Sequence, residues 1–409
     1  MKKTLVLLAT LGASLSILAQ PVPQVPPGPM GPPPPPDPTA PREARAFSGE
    51  VYVDHQSTYT PDFKIDGSNA KVRNIILLIG DGMGVGAVNA AMFANGGKLT
   101  MTNLHTFGYV RTQSADNFTT DSAASGTAYA TGKKTNNGYL GRDPEKKDLT
   151  NIPEKLEPLG FACGVLSTDG LEGATPAAFF AHQDARNAKE GIWADLANSH
   201  LIFASAGNQA TYESMPMSTQ DAIRREFTVV YNPNDPAVAS SKKVLYLPKS
   251  TGDDRGDYLP ATTEMAIDYL AARSKKGFFL MVEGAHIDHG AHANNTATTV
   301  KETLDFDKAV EAAIRFAERD GHTLVIISAD HETGATTLVR GEPADGFVST
   351  VFASRGHSPM MVPLFAYGPR SKDFSCVQEN SDVSNKIVAI LTGDKTPVVP
   401  VPSKYIVNR

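Results

Sequence analysis

The sequence predicts an α/β fold, a three-layer sandwich in which helices flank a central, mostly parallel β-sheet. Short apolar segments that are too continuous for half-exposed strands are typical of strands buried on both faces. These segments span residues 74–80, 162–168, 277–284, 322–331 and 362–369. Helical patterns with apolar residues three to four apart alternate with them, as at residues 262–276 and 299–320. This alternation favours parallel strands joined by helices.

Length and composition indicate a globular protein of enzyme size. The chain has 409 residues, of which 41% are hydrophobic and 20% charged, and its formal net charge is −6. We expect one domain over residues 46–409, with a loop-rich insertion near residues 205–258, where Pro, Asn, Asp and Ser are frequent. The chain is mildly acidic and has no basic block, which argues against nucleic acid as a partner.

The N-terminal residues differ from the rest of the chain. Residues 1–19 contain two lysines, an apolar run and small residues, a pattern typical of a secretory signal peptide that predicts export to the periplasm or beyond the cell. An uncleaved membrane anchor is the alternative, although no stop-transfer segment follows. Residues 20–45 are rich in proline and predict an extended spacer; a ligand for a proline-binding domain is the competing interpretation.

The two cysteines are expected to be free thiols. Cys163 lies in an apolar segment, where a buried thiol is common, and neither it nor Cys376 has neighbours at zinc-binding spacing.

Polar residues follow the predicted strands where each strand ends. The residues at these ends are Asp81, Thr175, Glu283, Asp330 and His331. Ligands of open α/β sheets bind outside the carboxyl ends of the strands. We therefore expect these oxygen and imidazole groups to converge at one edge of the sheet and to bind metal.

The segment 283–292 adds two further candidate ligands. Asp288 and His292 are four residues apart, so on a helix they lie on the same face and can share one ion. Sets that combine nitrogen and carboxylate ligands suit Zn²⁺, whereas an all-oxygen set such as Asp81, Thr175 and Glu283 suits Mg²⁺. The sequence thus predicts mixed metals.

The stretch TTDSAASGTAYATG, residues 119–132, combines one serine after an aspartate with a run of small residues. Such residues bury little apolar area, so they are a poor choice for core unless another group approaches the backbone. Ser122 at a helix N-terminus would face free amides and a dipole that favour negative charge. The alternative is that Ser122 only caps the helix.

Six segments, in this order, resemble the alkaline phosphatase family. They are IGDGMG (79–84), TTDSAASGTAYATG (119–132), ATPAAFFAH (174–182), EGAHIDHGAH (283–292), SADHETG (328–334) and GHSPMMVPLFAYGP (356–369). The resemblance extends from about residue 74 to residue 393. It implies metal-dependent hydrolysis of small phosphate monoesters through a phosphoserine, with release of inorganic phosphate, two zinc ions and one magnesium ion, which could be weakly bound.

The resemblance also implies a role for each matching residue. The first zinc would be bound by Asp288, His292 and His357. The second would be bound by Asp81, Asp330 and His331. The magnesium would be bound by Asp81, Thr175 and Glu283. Ser122 matches the nucleophile, and Arg186 matches the arginine that binds phosphate. Without the order of the motifs, His357 would be interpreted as a surface histidine and Arg186 as a solvated helix residue.

The sequence departs from the pattern of this family at three places. Gly173 stands two residues before the threonine of ATPAA, where relatives have aspartate or histidine, so we expect a weaker magnesium site. His289 replaces a lysine of some bacterial members and is expected to change phosphate release. Only 16 residues separate Arg340 from His357, where larger relatives insert a subdomain; a homodimer is possible, but the family's usual dimer is in doubt.

Other activities remain as alternatives. A sulfatase would need a Cys/Ser-x-Pro-x-Arg signature, which DSAASG does not provide. A phosphodiesterase more often has a threonine nucleophile and lacks the arginine. A non-catalytic phosphate- or metal-binding protein is the alternative from a different class.

Overall fold

The computed structural model describes residues 47–207 and 209–394. The signal peptide predicted at residues 1–19 and the spacer predicted at 20–45 lie outside the described residues. Within them, no helix is both long enough and apolar enough to cross a membrane.

Fifteen strands are present among the described residues. They are β1 (Phe47–Tyr52), β2 (Asn74–Gly80), β3 (Thr106–Arg111), β4 (Ala162–Ser167), β5 (Phe203–Ser205), β6 (Thr228–Val230), β7 (Val244–Tyr246), β8 (Phe278–Gly284), β9 (Thr323–Ser328), β10 (Glu332–Thr333), β11 (Thr336–Glu342), β12 (Phe347–Phe352), β13 (His357–Ser358), β14 (Val362–Tyr367) and β15 (Val377–Glu379).

Twelve α-helices accompany the strands in the same part of the chain. They are α1 (Val85–Ala94), α2 (Ser122–Thr131), α3 (Ile152–Leu156), α4 (Ala174–Ala177), α5 (Lys189–Ala197), α6 (Gln209–Glu213), α7 (Met217–Glu226), α8 (Pro236–Ser240), α9 (Tyr258–Arg273), α10 (His286–His292), α11 (Thr296–Asp320) and α12 (Asn380–Thr392). The two long helical patterns predicted from the sequence correspond to α9 and α11.

The central element is a ten-stranded sheet with the order β15-β3-β14-β9-β2-β8-β4-β5-β7-β6. All its pairings are parallel except those of β14, which runs antiparallel to β3 and β9. All five apolar segments singled out in the sequence form strands of this sheet, and β2, β4, β8, β9 and β14 are buried along their whole length. The predicted fold class is confirmed.

The register of the sheet brings the strand ends to one level. Ile79 on β2 pairs with Glu283 on β8 and with Ser328 on β9, and Glu283 also pairs with Ser167 on β4. Four neighbouring strands therefore end at the same edge, so the residues after them start from adjacent positions.

Two groups of helices flank this sheet. In one group, α11 packs against α1, α9 and α10, and α9 and α11 contact the strands. In the other, α2 packs against α4 and α12, and α3 and α4 contact β4. The helix that begins at Ser122 and the helix that carries Thr175 are therefore direct neighbours.

The segment near residues 205–258 differs from the prediction. Its strands β6 and β7 are not outside the core, because they continue the central sheet beyond β5. Val230, Val244 and Leu245 are buried. The sequence did not reveal these strands because three residues are too few to produce a recognisable period.

The short segment between Arg340 and His357 belongs to a second, three-stranded antiparallel sheet. Strand β12 lies between β1 and β11 in this sheet. Both cysteines are free thiols: Cys163 is buried on β4, and Cys376 is exposed.

Candidate active site

One cluster of candidate metal ligands, called here the inner ligand group, consists of Asp81, Asp330 and His331. The Nε2 atom of His331 lies 3.0 Å from Asp330 Oδ2 and 3.4 Å from Asp81 Oδ1. All three residues are buried, and one ligand atom from each lies within 4.8 Å of the others. The inner ligand group unites the ends of β2 and β9, as the sequence predicts.

One carboxylate oxygen of each aspartate in this group lacks a hydrogen-bond partner. Asp81 Oδ1 and Asp330 Oδ2 are both buried and without a hydrogen bond. Burying a carboxylate oxygen without a partner destabilises the folded state unless a cation binds there. Burial, followed by the charges of Asp330 and Asp288, raises the pKa of Asp81. Burial would lower the pKa of His331, but the Asp330 carboxylate raises it. The donor set of two carboxylates and one imidazole fits zinc.

A glycine makes the approach of these residues possible. Gly82 has a φ of +72°, and a Cβ atom at this position would lie 2.8 Å from the Cα atom of Asp288. Its backbone N–H donates to Asp330 Oδ1 at 3.1 Å. Because only glycine combines this backbone conformation with so little space, the IGDGMG segment can turn directly beneath the ligands.

The second cluster, called here the outer ligand group, consists of Asp288, His292 and His357. Helix α10 places Asp288 one turn before His292, with 3.3 Å between Asp288 Oδ2 and His292 Nε2. His357 on β13 directs its Nε2 atom to 3.1 Å from His292 Nε2 and 3.7 Å from Asp288 Oδ1. These three side chains thus lie close together, and the group whose ligand atoms all lie within 4.8 Å of one another combines Asp288 and His357 with His331.

The other ring nitrogens orient these histidines. His292 Nδ1 donates to the backbone carbonyl of Arg355 at 2.5 Å, and His357 Nδ1 donates to that of Thr120 at 2.9 Å. Burial and the nearby His331 lower the pKa of His357 to about 3. The ring of His357 is therefore neutral, with the lone pair of Nε2 directed into the site, which is the form that binds metal.

Thr333 joins the two ligand groups, and the sequence analysis did not identify it. Its hydroxyl donates to Asp288 Oδ1 and therefore accepts from His331 Nδ1, at 3.2 Å. The rings of His331 and His357 stack with 3.5 Å between their centroids. Thr333 lies two residues after His331, but a threonine on a strand carries no distinctive signal in a single sequence.

Ser122 lies at the start of α2, beside the inner ligand group. The side chain of Asp121 caps this helix by accepting from the N–H of Ala124 at 2.9 Å, so Ser122 is the first helical residue and not the cap. The Ser122 Oγ atom is 3.1 Å from His331 Nε2. The hydroxyl therefore lies both at the N-terminus of a helix and beside a candidate metal-binding group.

The small residues of α2 permit close packing of helices. Every residue of α2 is buried. A Cβ atom at Gly126 would lie 3.3 Å from the Cα atom of Thr175 and 3.2 Å from the Cβ atom of Ala178. The group that approaches the α2 backbone is thus α4, which carries a predicted ligand.

Arg186 lies beside the start of the same helix. Its Nη1 atom donates to Asp121 Oδ2 at 3.2 Å, and its side chain is 39% exposed. The Asp121 carboxylate also accepts from the N–H of Gly138 at 3.0 Å. Asp121 therefore holds the guanidinium at the open side of the site, one residue before Ser122.

The all-oxygen set is also assembled. Thr175 Oγ1 lies 3.5 Å from Asp81 Oδ2, and the nearby Thr175 hydroxyl acts to lower the pKa of Glu283. The hydroxyl of Ser167 donates to Glu283 Oε2. Burial, and then the charge of Asp169, raises the pKa of Glu283 to about 8. These oxygens fit a hard cation such as Mg²⁺.

The site combines a serine at a helix N-terminus with two sets of candidate carboxylate and imidazole ligands at the carboxyl edge of an α/β sheet. This combination is typical of a metal-dependent hydrolase. A family model described as alkaline phosphatase matches residues 72–218 and 249–355. The chain belongs to the alkaline phosphatase family, whose members are metal-dependent phosphomonoesterases.

Individual relatives agree with this assignment. Alkaline phosphatase 4 of Bacillus subtilis is 33% identical over 340 residues, which cover 78% of this chain and 74% of the relative. Alkaline phosphatase of Escherichia coli is 29% identical, and the match covers 79% of this chain and 87% of that protein.

A solved structure extends the likeness to the fold. Alkaline phosphatase from the Antarctic bacterium TAB5 superposes with a TM-score of 0.74 at 32% identity, covering 79% of this chain and 98% of that one. A variant of the TAB5 enzyme has magnesium bound in its M3 site.

Proposed function

We propose that Ser122 is the nucleophile of a zinc- and magnesium-dependent phosphomonoesterase that forms a phosphoserine. The observation that carries this proposal is the 3.1 Å separation of Ser122 Oγ from His331 Nε2, at the N-terminus of a helix. In this proposal the outer ligand group binds the first zinc and the inner ligand group binds the second. Asp81, Thr175 and Glu283 bind the magnesium.

The chain's residues account for the two displacements. Ser122 Oγ forms a bond to phosphorus while the bond from phosphorus to the ester oxygen breaks; water then attacks the phosphoserine, which restores the serine and releases inorganic phosphate. Zinc, when bound, lowers the pKa of the serine hydroxyl and of water and neutralises charge on the leaving oxygen.

Arg186 and α2 bind the phosphoryl group in both displacements. The planar guanidinium can donate two parallel hydrogen bonds to phosphate oxygens, which a lysine cannot do. The free amides and the dipole at the start of α2 favour the negative charge of the same group. These elements recognise phosphate and no particular leaving group, so we expect many small monoesters to serve as substrates.

We also propose a cellular location for the enzyme. The signal-peptide pattern at residues 1–19 supports export to the periplasm or beyond the cell. The relatives are named as alkaline phosphatases, which favours a monoesterase over the diesterase and sulfatase alternatives.

The test is hydrolysis of p-nitrophenyl phosphate and of its bis-ester, with zinc and magnesium and after chelation. We expect chelator-sensitive monoesterase activity that is lost in Ser122→Ala. Ser384→Ala is the matched control, because Ser384 is a buried serine on α12 whose hydroxyl has no partner, and it should retain activity. Preference for the diester, or no turnover with metals bound, would contradict the proposal and favour a binding protein.

A further inference from the structure

The space beside Gly173 is filled by the carboxylate of Asp169. A Cβ atom built on Gly173 would lie 2.5 Å from Asp169 Oδ2 and 3.1 Å from its Cγ atom. Gly173 is the residue before α4, which carries Thr175. An acidic group is therefore present at the place where the sequence indicates that a side chain is missing, and it is supplied by the turn after β4.

The backbone of Asp169 is held in position on both sides. Its N–H donates to Ser167 Oγ at 2.8 Å, and its carbonyl accepts from the N–H of Gly207 at 2.5 Å. The same Ser167 hydroxyl donates to Glu283. One serine therefore ties Asp169 to a proposed magnesium ligand.

The negative charges in this region favour the binding of a cation. Apart from burial, the largest effect on the pKa of Glu283 is the repulsion from the Asp169 carboxylate, which raises it. The charge of Asp330 acts in the same direction. Asp81 Oδ1 is buried without a hydrogen-bond partner. The carboxylates of Asp169, Glu283 and Asp330 thus concentrate negative charge that a divalent ion would neutralise.

The position of the Asp169 carboxylate is that of a side chain on Gly173. A side chain in that space lies beside the helix that carries Thr175, next to the proposed direct ligands. Magnesium keeps several of its waters when proteins bind it. A carboxylate just beyond the direct ligands can accept hydrogen bonds from those waters and fix their orientation.

We propose that Asp169 binds a water of the magnesium ion in the third site and replaces the side chain that Gly173 lacks. This inference rests on the proposed function, because it takes Asp81, Thr175 and Glu283 as the direct ligands. It also changes the expectation of a weak magnesium site, since the missing group is supplied from another position of the chain.

The test is titration of the zinc-loaded full chain with Mg²⁺ by calorimetry, with metal content measured in parallel. Asp169→Asn keeps the size of the side chain and removes its charge; it should weaken Mg²⁺ binding by about 10- to 100-fold, as is typical for groups beyond the direct ligands. Zinc content should be unchanged. Glu190→Gln, which removes an exposed carboxylate on α5, is the matched control and should bind Mg²⁺ as the wild type does.

A swap of positions separates a specific role from a general loss of charge. Gly173→Asp alone should not tighten Mg²⁺ binding, because the new side chain would collide with Asp169. Gly173→Asp combined with Asp169→Gly removes this collision and should recover part of the affinity lost in Asp169→Asn, because the turn must still shift to relieve the 2.8 Å approach of the new Cβ atom to the Gly170 carbonyl oxygen.

Each contrary result has a distinct meaning. Equal Mg²⁺ affinity in the wild type and Asp169→Asn, with affinity lost in Thr175→Val, would overturn the role of Asp169 alone. A zinc-loaded wild type that binds no Mg²⁺ would overturn both this inference and the third metal site. Loss of affinity in Glu190→Gln equal to that in Asp169→Asn would show a non-specific charge effect and would also overturn the inference.

Discussion

At the scale of single residues, a hydroxyl and two backbone carbonyls orient the candidate metal ligands. Thr333 orients Asp288 and His331 together, and the carbonyls of Thr120 and Arg355 orient His357 and His292. None of these three groups is a candidate metal ligand. They fix which nitrogen of each ring faces the candidate metal site, and partners of this kind strongly affect the metal affinity of a site.

We expect Thr333→Val to lower zinc affinity by about tenfold or more, because Asp288 and His331 lose their common partner. The measurement is the zinc retained in competition with a chelator. Thr303→Val is the control, since Thr303 is a buried threonine on α11 whose hydroxyl bonds only to its own helix at Thr299. Equal zinc retention in the two variants would argue against a bridging role for Thr333.

At the scale of elements, a charged pair connects the ATPAAFFAH segment to the helix α3. His182 Nε2 donates to Glu154 Oε1 at 2.9 Å, and His182 Nδ1 donates to the carbonyl of Gly141 at 2.9 Å. Burial would lower the pKa of His182, but these hydrogen bonds raise it to about 9. The pair therefore secures the segment that lies between Thr175 and Arg186.

The stability contributed by this pair depends on pH. The folded pKa of His182 lies above the unfolded value of about 6.5, so the contribution is complete below that pH and is lost as the pH rises through 9. Glu154→Gln keeps the cap of α3, because its amide oxygen can still accept from the N–H of Asn151. This variant should be less stable than the wild type by about 1 kcal/mol at pH 7 and equally stable near pH 10.

Thermal unfolding at the two pH values provides the measurement. Glu157→Gln is the control, because the His200–Glu157 pair is largely exposed and exposed pairs contribute little. A stability difference in Glu154→Gln that persists unchanged at pH 10 would contradict the ionic origin of the effect.

At the scale of the whole molecule, the candidate metal site concentrates buried charge where four strands of the central sheet end. Without metal, burial and neighbouring carboxylates raise the pKa of Asp81 and Glu283. Bound cations would neutralise this charge, and a ligand that binds only the folded state also stabilises it. Metal is thus expected to contribute to stability as well as to catalysis.

We expect chelation to lower the unfolding temperature more at pH 9 than at pH 6. The folded pKa of Glu283, about 8, lies above its unfolded value of about 4.3, so the metal-free protein loses stability as the pH rises between these values. The raised pKa of His331 acts in the same direction. Calorimetric scans with and without EDTA test this, and Ser122→Ala should respond as the wild type does because its ligands are intact. An equal decrease at both pH values would contradict the prediction.

Much of the fold, and the convergence of the candidate metal ligands at one edge of the sheet, could be predicted from residue order. The continuous apolar segments correspond to β2, β4, β8, β9 and β14, and Asp81, Glu283 and Asp330 converge because parallel neighbours end at one edge of the sheet. Local spacing also placed Asp288 and His292 on one turn. The strands β6 and β7 were missed because their few residues show no period.

The remaining features depend on contacts between distant parts of the chain. Thr333 contacts Asp288 across 45 residues, and His357 reaches the carbonyl of Thr120 across 237. Asp169 fills the space at Gly173 because the turn after β4 folds back onto α4. Periodicity and spacing indicate which face of an element is buried and which residues lie at the end of a strand. Which hydroxyl, carbonyl or carboxylate fills the space around a ligand is determined by how separate elements pack, since only packing brings such groups within hydrogen-bonding distance.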